Sequence, residues 1–247
     1  MKLQKLFTVV AMITILAFSS CETFNFEYEF IKGEGPIVEK ELFLSDFSQI
    51  NLTSSFDVVV SQGNTQSVYA VGHENIIDRV RTNVNNDQWN ISLENGSYSN
   101  FQLTIYITVP EIEQVRVAGS GSIEIEDFYQ INDLTLEIMG SGNIIMNGIE
   151  MSDNLFVNIQ GSGSVYANKS VTCFKSSSIK IGGSGDFKGL MVKSEVCDVT
   201  INGSGKCYVQ ADEELNANIF GSGNLYYKGD PRIYMKGSGS GRLICLN

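Results

Sequence analysis

Seven Gly-Ser-Gly triplets recur through the second half of this 247-residue chain, beginning at Gly119, Gly140, Gly161, Gly183, Gly203, Gly221 and Gly237. Their spacings are 21, 21, 22, 20, 18 and 16 residues. A period near twenty, with a short apolar alternation on each side of every triplet, restricts the chain to stacked coils. One such repeat is too short to bury its own apolar face and must hide it against its neighbours.

Counted from the first glycine, positions −4 and −2 hold Val115/Val117, Leu136/Ile138, Val157/Ile159, Ile179/Ile181, Val199/Ile201, Ala217/Ile219 and Ile233/Met235. Position −3 between them is mostly polar, as in Arg116, Glu137 and Lys180. After the triplet, Ile123, Ile144, Val165, Phe187, Cys207 and Leu225 stand at +4, and Ile125, Met146, Ala167, Gly189, Val209 and Tyr227 at +6. Period-two alternation means strands with one face inward. Each repeat therefore reads as strand, Gly-Ser-Gly corner, strand and loop, with like positions stacked into aliphatic ladders. The expected fold is all-β, a parallel β-helix (β-solenoid) of about seven regular coils, roughly 35 Å long at the inter-strand spacing.

Glycine at the corners supplies positive φ or close backbone approach. The serines between them, from Ser120 to Ser238, are expected to form a hydroxyl ladder. Cys197 and Cys207 fall at inward phases of one coil, as small buried residues or as a disulfide across it; Cys173 and Cys245 have no evident role. Residues 40–110 read as less regular strands, Leu42–Leu44, Ile50–Leu52, Phe56–Val60, Val68–Val71, Trp89–Leu93 and Phe101–Val109, with a short helical turn within Glu74–Val80. This segment either covers one end of the solenoid or runs as irregular early coils. Arg242–Asn247 forms a last strand without an evident cover, an edge open to association.

The start of the chain reads as an export signal, 1–20. Lys2 and Lys5 precede an apolar stretch from Leu6 to Phe18, and Ser19-Ser20 lead into Cys21. Cysteine directly after small residues resembles a lipobox, which makes Cys21 the lipidated N-terminus of an outer-membrane lipoprotein. Residues 21–36 then form a flexible tether, and 37–247 a single domain. Without 1–20 the chain carries 15 basic and 28 acidic residues, a net charge of −13. That excludes nucleic acid as a partner, whose affinity depends on neutralising phosphates, and leaves acyl chains on Cys21 as the membrane contact.

Particular residues match a known pattern. Asp46-Phe47 with Ile50, Phe56-Asp57-Val58-Val59-Val60, Gly63, Glu74-Asn75-Ile76-Ile77-Asp78 and Val109-Pro110-Glu111-Ile112 precede the first triplet in order. Gly142-Asn143-Ile144 and Gly223-Asn224-Leu225 follow within the repeats. Together they resemble the auto-transporter adhesin head GIN domain family, envelope lipoproteins of Bacteroidetes-like bacteria with no assigned catalytic residues. The resemblance covers roughly residues 40–245 and implies a right-handed β-solenoid held at the cell envelope.

The catalytic inventory is short. His73, the single histidine, lies in a polar turn and reads as a solvated loop residue, and no metal-binding, nucleophile-elbow or phosphate-loop motif occurs. No cofactor or metal is expected. Glu124, Glu126 and Asp127 are the one acidic group that could serve a glycan-processing enzyme, yet position +5 holds Ile145, Tyr166, Lys188, Tyr208 and Tyr226 in later coils, so no acidic ladder persists. That same count places Tyr166, Tyr208 and Tyr226 on one outer strip, with Tyr227 and Tyr234 nearby. Exposed aromatics flanked by Asn suit a carbohydrate or protein ligand. The leading expectation is a non-enzymatic adhesion or binding module; a glycan-processing enzyme and a structural or regulatory component bound to another envelope protein are the alternatives.

Overall fold

In a computed structural model, residues 29–173 and 175–247 are described. The export signal, Cys21 and the first part of the expected tether lie outside them. Alternation on either side of the triplets does produce two faces of parallel strands. On the first, Gln88–Ile91, Gln49–Leu52, Gln114–Val117, Leu134–Ile138, Asn154–Ile159 and Ser176–Ile181 lie side by side. The second halves of Phe187–Ile201 and Cys207–Ile219 follow, and Arg232–Lys236 comes last. On the second face, Asp57–Gln62, Ile123–Ile131, Ile144–Met151, Val165–Ala167 and the first halves of the same two long strands precede Leu225–Lys228 and Leu243–Cys245.

Inward ladders run without a break. Val115, Leu136, Val157, Ile179, Val199 and Ala217 are neighbours in register and all buried. Filling each aliphatic position removes a side chain from water, worth about 1.5–3 kcal/mol apiece for Val, Leu or Ile. Where Phe187 enters the ladder at +4, Gly189 stands at +6, and a Cβ there would lie 2.2 Å from the Phe187 ring. The large residue takes the volume that the small one vacates.

The expected loop after each second strand is in part a third short strand. Ile149–Met151 pairs with Val171–Cys173, and Asp127 (φ 47°) and Gly148 (φ 75°) bend the chain into that face. Ile149, Met151, Val171 and Cys173 are buried there, closing the third side of the core.

The solenoid has about six turns. The last corner is not at Gly237. Gly239 and Gly241 donate to the carbonyls of Ile219 and Gly221, so Gly239-Ser240-Gly241 stacks on Gly221-Ser222-Gly223, and Ile233 and Met235 lie opposite Leu215 and Ala217. At the other corners glycine is required for proximity, not for positive φ. A Cβ on Gly163 would sit 1.7 Å from the Gly142 carbonyl oxygen. Adjacent corners are in backbone contact, and no side chain fits between them.

The expected serine ladder is carried by other groups. The triplet serines are exposed, those from Ser120 to Ser222 bond through their backbone N–H, and among the described residues a hydroxyl rung joins only Ser240 to Ser222, at 3.3 Å. The side-chain ladder lies one residue beyond the triplet. Asn143 Oδ1 accepts from the Ser164 N–H, Ser164 Oγ from Asp186, Asp186 Oδ1 from Lys206 and Asn224 Oδ1 from Arg242, at 2.7–3.0 Å.

The first half of the chain does both things expected of it as alternatives. Gln49–Leu52 and Asp57–Gln62 form a first coil, and Gln88–Ile91 with Leu103–Val109 add a further layer on its outer side. Beyond that layer the sheet turns antiparallel, through Ser67–His73 and then Ile37–Glu41. The chain therefore builds outward from the first coil, then crosses back between Val109 and Gln114 to start the repeats on its other side. Gln62 fastens that crossing, donating to the Pro110 and Tyr129 carbonyls and accepting from the Tyr129 N–H. Behind the sheets, Ile76 and Ile77 of the helical turn Glu74–Ile77 are buried. Within the span expected to be a tether, Phe30–Lys32 is instead a strand paired with Ser97–Ser99, with Ile31 buried and Glu29 ion-paired to Arg79. His73 ends a strand rather than lying in a solvated loop, and its Nδ1 accepts from the Gln102 N–H at 3.0 Å.

Candidate functional site

Tyr166, Tyr208 and Tyr226 occupy one row because the register carries Tyr166 to Lys188, Lys188 to Tyr208 and Tyr208 to Tyr226. Four rungs at the parallel-strand spacing make a strip about 14 Å long. Lys188 is the member that reasoning on tyrosines alone passes over, although it stands at the same +5 position. Its Nζ lies 4.7 Å from the centroid of the Tyr166 ring, a cation–π geometry worth about 0.5–1 kcal/mol at an exposed site. Tyr208 and Tyr226 stack with centroids 4.6 Å apart and planes 8° from parallel. Asn224 Nδ2 donates to the Tyr226 hydroxyl at 3.4 Å.

These distances decide what the strip can offer. Coil spacing puts each ring face against the next rung, so the faces of Tyr208 and Tyr226 are spent on each other. What points outward is a row of phenol edges and hydroxyls with one ammonium among them, on a half-buried and rigid sheet surface. Such a surface suits a flat partner that supplies hydrogen-bond acceptors. It does not suit a sugar that must lie flat on an open ring.

Tyr227 and Tyr234 are not part of the strip. Tyr227 stands at the inward phase opposite Cys245, whose hydrogen bond raises the phenol above its usual range. Tyr234 belongs to the other face, on Arg232–Lys236.

The acidic group is brought together, and neighbouring side chains engage it. Asn147, itself buried, donates its amide to both Glu124 and Glu126, and Lys169 approaches Glu126 and Asp127 at 3.8 and 3.9 Å. A glycosidase needs its two carboxylates on opposite sides of the scissile bond. Here they project from one strand, two residues apart, and share one amide donor.

The four cysteines of the body are free thiols: Cys173, Cys197 and Cys207 buried, Cys245 exposed. Burial pushes the Cys197 thiol up to about 12 and Cys207 well above its usual range. Cys173, also raised by burial, donates to the carbonyls of Asp153 and Ser176 at 3.1 and 2.8 Å. Among the described residues there is no group of three or more His, Cys, Asp or Glu placed to hold a metal, and no helix long and apolar enough to cross a membrane.

Comparison with known proteins places this architecture. Residues 46–231 match the family described as "Putative auto-transporter adhesin, head GIN domain". Among solved structures, a putative adhesin from Bacteroides fragilis is similar at 21% identity with a TM-score of 0.75, over 87% of this chain and 100% of that one. A putative adhesin from Parabacteroides distasonis gives 22% identity and a TM-score of 0.67, over 88% of this chain and 100% of that one. A protein from the same species, described as a putative lipid binding protein, gives 25% and 0.65 over 89% and 100%. No curated relative matches the sequence.

Proposed function

This chain belongs to the auto-transporter adhesin head GIN domain family, and on that premise we propose that it is a non-enzymatic binding module of the cell envelope. It is held at the outer membrane by acyl chains on Cys21 and meets a protein partner through the strip Tyr166, Lys188, Tyr208 and Tyr226. The observation that carries this reading is the stacked tyrosine pair with Lys188 beside Tyr166, a hydroxyl-bearing row on the outer face of the sheet. Tyrosines that are already ordered lose little side-chain entropy on contact, which favours them as interface anchors.

Two experiments test it. Cys21→Ser should move the chain from the membrane fraction to the soluble one, and protease treatment of intact cells then fixes which side of the membrane the body occupies. Cells carrying the full chain should be retained on protein-coated surfaces, and Tyr166→Ser/Lys188→Ser/Tyr208→Ser/Tyr226→Ser should lower retention at least tenfold at equal protein level. Unchanged retention removes the strip from the account. Hydrolysis of polysaccharide by the purified chain, lost in Glu124→Gln/Glu126→Gln, would replace the binding reading with an enzymatic one.

A further inference from the structure

Among the described residues, one corner of the solenoid, 53–57, reaches its outer neighbour only through Thr53, whose N–H donates to the Ile91 carbonyl at 3.2 Å. At the corners beginning at Gly140, Gly161, Gly183 and Gly221, the N–H groups of the serine and the second glycine converge on a single carbonyl oxygen of the corner beneath. Ser141 and Gly142 both take Gly119, at 3.1 Å each; Ser162 and Gly163 take Gly140, at 3.0 and 3.2 Å. The first corner, 53–57, has the same five-residue length, and Ser55 and Phe56 stand at the register of Ser120 and Gly121. Its Ser54 carbonyl is gripped in the regular way, by the N–H groups of Ser120 and Gly121.

On the outer side the layer formed by Gln88–Ile91 and Leu103–Val109 supplies no corner. Between Ile91 and Ile105 the chain spends thirteen residues, 92–104, where the coil against it spends five. A connection that long bows away from the corner it would otherwise cover. Among the described residues no acceptor reaches the Ser55 or Phe56 N–H. The space left open is two adjoining hollows of about 550 and 350 Å³, both lined by Ser55, Phe56, Tyr98 and Phe101.

We propose that this groove binds an N-acetylated amino sugar, its acetamido carbonyl taken by the Ser55 and Phe56 N–H groups and its ring against Tyr98 and Phe101. The same pair of donors takes a secondary-amide carbonyl at the corners beginning at Gly119, Gly140, Gly161, Gly183 and Gly221, so a secondary amide is the group the position fits. Tyr98 and Phe101 pack edge-to-face with centroids 6.1 Å apart, an aromatic wall beside the donors. Asp57 and Asn100 line the larger hollow and face a ligand as hydroxyl-binding groups; Asp57 uses one oxygen on the Ser122 N–H. Asn100 is held at φ 46°, the left-handed conformation that asparagine tolerates at turns. Asp57, Glu94 nearby and the low pI of about 4.6 disfavour an anionic ligand, which leaves a neutral amide as the acceptor. This groove is independent of the tyrosine strip, which belongs to later coils.

The test is titration of the isotope-labelled chain, without residues 1–20, with tri-N-acetylchitotriose, following backbone amides by NMR. Saturable shifts of the Ser55 and Phe56 amides are expected. Cellotriose, which lacks the acetamido group, should bind at least tenfold more weakly, and Tyr98→Ala or Phe101→Ala should weaken the chitotriose titration by a similar factor. The Tyr166→Ser/Lys188→Ser/Tyr208→Ser/Tyr226→Ser variant should titrate as the parent does, which separates this site from the strip. Absence of shifts at Ser55 and Phe56, equal binding of cellotriose, or shifts given instead by a blocked dipeptide (N-acetyl-alanine N-methylamide) and not by the sugar would each overturn the assignment.

Discussion

Trp89 and Met235 are the two ends of one ladder. From Trp89 the register runs through Ile50, Val115, Leu136, Val157, Ile179, Val199 and Ala217 to Met235. Trp89 is fully buried: Phe47 packs 5.6 Å from its ring, its Nε1 donates to the Arg81 carbonyl, and Val84–Asn85 turns back antiparallel to cover the edge. Met235, at the same inward phase, is 53% exposed, and its neighbour Ile233 is 40% exposed. Among the described residues nothing lies over that last coil. The difference shows where the fold is made cooperative. One end of the stack is closed by long-range antiparallel pairing and an aromatic plug, whereas the other is held only by its nearest neighbour. Solenoid stability is close to a sum of such neighbour interfaces, so the open end should fray first.

The largest effect should come from removing the plug. Trp89→Ala is expected to cost about 3–5 kcal/mol, as for other large-to-small core changes, while Met235→Ala stays within about 0.5 kcal/mol. Denaturant titration of the two variants measures both, and equal losses would erase the contrast between the ends.

Close approach of the corners gives the next comparison. Gly163→Ala places a methyl group against the Gly142 carbonyl in mid-stack, where neither neighbouring coil can retreat, and should cost about 3 kcal/mol, the upper end for overpacking. Gly241→Ala meets the Gly223 carbonyl, 2.0 Å from the added Cβ, but the last coil can lift away. Its cost should be clearly smaller, with faster amide exchange confined to Arg232–Lys236 and Leu243–Cys245.

Thiol chemistry reads the same gradient without a mutation. Cys245, exposed on the last strand, should react with iodoacetamide in the native protein. Cys197 and Cys207 are held as neutral thiols by burial and should react only as fast as the coils open, since thiolate is the reacting form. Mass spectrometry of the labelled peptides gives the order, and early labelling of Cys197 would place the weak point in mid-stack.

The smallest effect belongs to the exposed ion pair at the closed end. The Arg79 guanidinium, hydrogen-bonded to Glu29, holds that carboxyl below its usual range. A depressed folded-state pKa contributes stability above the ordinary carboxylate range, and this is lost as pH falls through the depressed value. Glu29→Gln should therefore narrow the gap to the parent's melting temperature at acid pH, by a small amount given the exposure of the pair.

How much of this could be read from the residues depends on which contacts are local. The inward ladders are legible because period-two alternation is written in five or six consecutive residues. The last corner is misread because Gly237-Ser238-Gly239-Ser240-Gly241 holds two overlapping triplets, two residues apart. A shift of two leaves every side chain on the same face, and only the hydrogen bonds to Ile219 and Gly221 choose between them. The row that caps the corners, Asn143, Ser164, Asp186 and Asn224, escapes notice since it lies beyond the triplet and varies in residue type while keeping one function, an oxygen aimed at the next coil's N–H. The tyrosine strip is legible in position, because +5 is a fixed offset. Its ring stacking is not, since that depends on the spacing between coils. The groove at Ser55 and Phe56 was hidden for a stronger reason. It exists only because residues 92–104 are longer than the 53–57 corner they face, and those two segments become neighbours only once the chain has built outward from the first coil.

Spacing between rungs tests the central claim most directly. With Cys173, Cys197, Cys207 and Cys245 replaced by Ser or Ala in a variant that still folds, nitroxides at Ser120 paired in turn with Ser141, Ser162, Ser184, Ser204 and Ser222 give distances by pulsed electron resonance or, for the shortest, line broadening. The account predicts a rise of about 4.8 Å per rung, to roughly 24 Å between Ser120 and Ser222. Distances that scatter without order, or that fall again along the series, would contradict a stack of coils in register.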